Sequence, residues 1–116
     1  MVSAAHRLCA CLLAALGAVH VGVTPLVYQR LSPGSMWFVG AGLAMMFAGF
    51  LNLVLNFEPA PRRASRVLCH AANLLMLGLA ALAVTVVREP QAYLAILLIA
   101  VVTVTAYGLK RGTMKR

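Results

Sequence analysis

The stretch MWFVGAGLAMMFAGFLNLVLNF, residues 36–57, carries no charged side chain along its whole length. A bilayer core about 30 Å thick is crossed by roughly 20 residues of α-helix rising about 1.5 Å each, so this run is long enough to span it. Three further uncharged runs, 8–27, 67–87 and 92–109, meet or approach the same length. In hydrocarbon every peptide group must find its partner within the segment or in a closed barrel. A barrel needs apolar and polar residues alternating in strands about half as long, and these runs do not alternate. Of the 116 residues, 63% are hydrophobic and 10% charged, whereas a soluble domain carries about 25% charged residues. The chain therefore reads as a single all-α membrane domain, 1–116, with a basic tail at 110–116.

The connections hold the residues that stop and start helices. Ser32, Pro33 and Gly34 precede the second run, with Ser32 or Ser35 placed to accept from its free N–H groups. Pro59 and Pro61 end it, and Ser65 is placed to cap the third. The last connection is only Arg88, Glu89, Pro90 and Gln91, with Pro90 suited to the first turn of the fourth helix. Loops this short force antiparallel neighbours, and the expected architecture is an up-down-up-down bundle of four transmembrane helices. Pro25 is expected to bend or end the first helix.

Orientation is read from the basic residues, because positively charged loops resist translocation. Arg7, Arg62, Arg63, Arg66, Lys110, Arg111, Lys115 and Arg116 fall on one side of the membrane, and only Arg30 and Arg88 on the other. This bias predicts both termini in the cytoplasm and assigns the chain to a bacterial cytoplasmic membrane. Tyr28, Trp37 and Tyr93 then sit near the opposite interface, where amphipathic aromatics are favoured. The net charge of +8 is accounted for by topology and anionic headgroups, so no nucleic-acid partner is expected. The first run extends beyond a signal-peptide core and is followed by three more spans, so it is expected to remain in the protein.

Polar residues in a bilayer are costly and tend to face a bundle interior, which makes them the candidate site. Asn52 and Asn56 are one turn apart near the end of the second helix; His70 and Asn73 are close together near the start of the third. Their depths match across the middle loop, and Thr103 and Tyr107 bring the fourth helix to the same level. His20, Thr24 and Tyr28 form a second, outer level on the first helix. These groups either bond across helices as glue or, with His70 exchanging a proton, form a polar vestibule.

Other chemistry has less in its favour. His6, Cys9, Cys69 and His70 lie near helix ends on one side, yet Cys9 and Cys11 diverge by about 200° on a helix, so the pair cannot chelate a metal. His20 and His70 fall towards opposite faces, which argues against a shared haem. An odd count of three cysteines within apolar segments reads as buried thiols. Glu58 and Glu89, the only acids, lie on opposite sides and cannot act as a carboxylate pair. No catalytic residue, metal or cofactor is expected.

Small residues give the second helix a different signal. Gly40 and Ala44 are one turn apart and Gly42 and Gly49 are one heptad apart, spacings that permit close helix approach. The leading expectation is a non-enzymatic membrane protein that packs through such faces, on itself or as an accessory subunit of a larger complex. The alternative is a small transporter or channel subunit using the His/Asn site.

Overall fold

The structure, a computed structural model, describes residues 1–109. Lys110, Arg111, Lys115 and Arg116, which carry part of the charge bias, lie outside the described residues. The chain forms four helices, α1 (Val2–Val27), α2 (Pro33–Phe57), α3 (Arg63–Val86) and α4 (Pro90–Gly108). All four are long and apolar enough to cross a membrane, with mean hydropathies of 2.0, 2.0, 2.1 and 1.8 over their most apolar windows.

Each helix begins ahead of its apolar run. Helical hydrogen bonding needs only a permissive backbone, so Ser3, His6 and Arg7 continue α1 beyond the lipid-like segment, as Arg63 and Arg66 do for α3. At α2 the start is fixed by a reciprocal cap: Ser35 N–H donates to Ser32 Oγ at 3.1 Å and Ser32 N–H to Ser35 Oγ at 2.8 Å. Two donors that would otherwise lack partners are satisfied at once, next to Pro33 in the first turn. Ser65 does not cap α3, because the helix has already started at Arg63. Pro25 lies inside α1, which continues through it as far as Val27.

Around the bundle α1 packs on α2 and α4, and α3 packs on α4 and α2, leaving α1 and α3 diagonal. The register shows direction. Ser3 meets Asn56 while Gly17 meets Gly42, so α1 and α2 run antiparallel. Val2 meets Gly108 and His6 meets Thr105, so α1 and α4 do too.

The α1–α2 seam is the closest contact, and small residues make it so. A methyl group on Gly17 would lie 2.5 Å from the Gly42 carbonyl oxygen, and one on Gly49 would lie 2.7 Å from Ala14 Cβ and 2.8 Å from the Ala10 carbonyl oxygen. Ala10, Leu13, Ala14 and Gly17 share one face of α1 at steps of three and four; Gly42, Met45, Gly49 and Asn52 do so on α2. Gly42 and Gly49 are thus used within the chain. Gly40 faces open space, since a methyl group added there would meet nothing within 4 Å.

Inside, Leu13, Met45, Ala48, Leu98 and Ile99 form one apolar layer and Leu55, Cys69 and Ala106 a second, nearer the α2–α3 connection. Outside, Phe47, Phe50, Leu75, Leu82, Leu97 and Val104 are exposed. Only 17% to 33% of each apolar window is buried in the bundle. In water such a surface would aggregate. In lipid tails, which are as apolar as the side chains, it carries no such penalty.

Candidate functional site

Between the two apolar layers lies a polar cluster to which all four helices contribute. At its centre Asn52 of α2 faces Asn73 of α3. Asn52 Nδ2 donates to Asn73 Oδ1 at 2.6 Å, and Asn73 Nδ2 donates back to Asn52 Oδ1 at 3.0 Å. A carboxamide has one accepting oxygen and a donating NH2, so two of them facing head to head satisfy each other. The second N–H of Asn52 goes to the Ala48 carbonyl at 2.8 Å, one turn back on its own helix. Cys69 Sγ donates to Asn52 Oδ1 at 3.3 Å, and Asn73 Nδ2 approaches that sulfur at 3.9 Å. Both asparagines are fully buried.

His6 of α1 adds the third and fourth helices. Its Nε2 lies 3.2 Å from the Asn52 carbonyl oxygen and its Nδ1 2.8 Å from Thr105 Oγ1 of α4. A carbonyl only accepts, so Nε2 carries a proton. In the neutral ring Nδ1 then accepts the Thr105 hydroxyl proton, which otherwise goes to the Val101 carbonyl at 2.7 Å. His6 is fully buried. Each carboxamide NH2 and each ring nitrogen of His6 thus has a protein partner, and all three residues are shut off from the surface.

The remaining polar residues are placed elsewhere. Asn56 donates to Ser3 through its backbone oxygen and its hydroxyl, both at 3.0 Å, at an exposed position that ties the start of α1 to the end of α2. His70 stacks on Tyr107, with ring centroids 4.1 Å apart and planes 5° from parallel; its Nδ1 is buried without a hydrogen bond. His20 lies towards the other end of the bundle, stacked on Phe38 at 3.6 Å. Thr103 is buried but bonds the Ile99 carbonyl of its own helix at 2.6 Å, and Thr105 makes the inter-helix contact in its place. The structure thus brings Asn52 and Asn73 together and leaves Asn56, His70 and His20 outside their network.

Two members, His6 and Thr105, are not singled out by depth matching alone. Their signal is angular: His6 continues the Ala10, Leu13, Gly17 stripe by one more step of four, which marks it as facing α2. Among the described residues no three of His, Cys, Asp and Glu gather where they could hold a metal ion, and Cys9, Cys11 and Cys69 are free thiols. Chemically, the arrangement clamps helices: side-chain hydrogen bonds in a membrane contribute about 0.6 kcal/mol each on average, up to about 1.7. Comparison of the chain with protein-family models, with curated proteins and with solved structures found no match.

Proposed function

We propose that the chain is a non-enzymatic integral membrane protein that works by helix packing, assembling with itself or serving as an accessory subunit of a larger membrane complex. The observation that carries this reading is the closed polar cluster. Its buried hydrogen bonds join α1, α2, α3 and α4, which supports a rigid packing unit. A transporter built on His70, Asn73, Asn52 and His20 would need those groups along one path, and neither His20 nor His70 is hydrogen-bonded to the asparagine pair: each is stacked on an aromatic ring. Exposed Phe47, Phe50 and Phe57 on α2 and Leu74, Leu75 and Leu82 on α3 offer broad apolar faces to a membrane partner.

The bias of basic residues supports a bacterial cytoplasmic membrane as its location, with both termini and the α2–α3 connection in the cytoplasm. Arg62, Arg63 and Arg66 cluster at that connection, and Arg7 lies at the same end of the bundle. The test is purification of the full tagged chain in mild detergent, followed by native mass spectrometry. An oligomer or a stoichiometric membrane-protein partner is expected; a monomer without a partner overturns the reading. The same chain with green fluorescent protein at its C-terminus should fluoresce, whereas an active alkaline phosphatase fusion there would reverse the orientation.

A further inference from the structure

The end of the bundle away from the asparagine pair is open. Beyond the Leu13, Met45, Leu98 and Ile99 layer the helices part around a cavity of about 510 Å³, within the range of about 300–1,000 Å³ typical of small-molecule sites. All four helices line it. Its walls are apolar, with Leu16, Met45, Met76, Ala80 and Ala95 reaching inward towards the packed layer. Its polar groups are His20, Tyr28, Trp37, Glu89 and Gln91.

None of those five side chains makes a hydrogen bond or ion pair among the described residues, and His20 is only stacked on Phe38. Trp37, Glu89 and Gln91 are exposed at its mouth while His20 and Tyr28 are half-buried, and an apolar pocket with a few convergent polar groups is the usual form of a binding site. The lining also has a sign. Glu89 is its one charged residue, and Tyr28, Trp37 and Phe38 add aromatic rings, whose faces attract cations. Arg30 and Arg88 stand in the adjoining connections, exposed as Glu89 is, but do not line the cavity, whereas Glu89 does. The ends of α1 and α3 meet the starts of α2 and α4 here, so the partial charges of the helix termini oppose one another.

We propose that this cavity binds a lipophilic cation, an apolar body carrying one quaternary or delocalised positive charge, with the body among the alanine and methionine walls and the charge near Glu89 and the aromatic rings. The site is separate from the asparagine clamp. Binding needs no proton transfer and no cofactor.

The experiment uses the full chain in dodecyl maltoside with labelled tetraphenylphosphonium, and tetraphenylborate as an anion of the same shape. Saturable cation binding is expected, with the anion at least about tenfold weaker. Glu89→Gln should weaken the cation about five- to tenfold and narrow the gap between the two ions. Filling the cavity with Ala80→Phe and Ala83→Phe should abolish binding, with native circular dichroism confirming that the chain still folds. If that double variant fails to fold, Glu89→Gln, on an exposed connection, decides alone. Equal binding of both ions, cation binding indifferent to Glu89→Gln, or no saturable binding overturns the proposal.

Discussion

Replacing Asn52 alone, or Asn73 alone, by leucine should destabilise the bundle more than replacing both together. In either single variant one carboxamide stays buried opposite an alkyl group. Its partner's share of the 2.6 Å and 3.0 Å bonds is gone, and the amide that stays is fully buried. The cost of such an orphan is about 1–3 kcal/mol. With both replaced, no orphaned amide remains, and two leucines of similar size meet next to the Leu55 and Cys69 layer. Unfolding by denaturing detergent in mixed micelles reads both values, and the double variant should fall within about 1 kcal/mol of the native chain. Single and double effects that simply add would show that the two amides do not act as a pair.

The second large effect is expected at the α1–α2 seam. Gly49→Ala sets a methyl group 2.7 Å from Ala14 Cβ and 2.8 Å from a backbone carbonyl oxygen of α1; Gly17→Ala sets one 2.5 Å from the Gly42 carbonyl oxygen. Backbone atoms cannot turn aside as a flexible side chain does, so the helices must separate along the seam. Overpacking of this kind costs about 1–3 kcal/mol, and Gly49→Leu, with three more carbons to place, should prevent native pairing of the two helices. Gly40→Ala is the control. Its methyl group meets nothing within 4 Å, and loss of a helical glycine should leave stability unchanged or raise it by up to about 1 kcal/mol. If Gly49→Ala is tolerated as well as Gly40→Ala in the same unfolding measurement, the close seam is wrong.

These two sites also mark what is legible in the amino-acid sequence. The apolar runs announce four helices because lipid demands length and lack of charge, and both are visible residue by residue. The Ser32 cap, Pro33 and Pro90 are local chemistry and equally visible. Depth can be counted along a run, which is why Asn52 and Asn73 can be paired from their positions in the chain.

Azimuth is harder. A helix surrounded by hydrocarbon is apolar on every side, so the contrast that betrays the buried face of a soluble helix is weak. Cys69 and His70 are neighbours in sequence, yet a turn of about 100° sends one into the network and the other onto Tyr107. For the same reason Gly40 looks as suited to close packing as Gly42, and only the seam itself separates them. Thr103 and Thr105 differ in another way: a threonine hydroxyl in a helix can bond the carbonyl one turn back, so a buried threonine need not reach a neighbour.

The central claim is that the asparagine cluster is a closed clamp and not a water-filled vestibule, and Cys69 reports on it directly. Its sulfur sits in the network with the residue 1% exposed. In a Cys9→Ala, Cys11→Ala chain reconstituted in lipid vesicles, a small charged methanethiosulfonate reagent applied to both faces should leave Cys69 unmodified while the detergent-unfolded chain is labelled fully. Rapid labelling of Cys69 in the folded chain would mean that water reaches the asparagines, and the clamp would give way to the transporter reading.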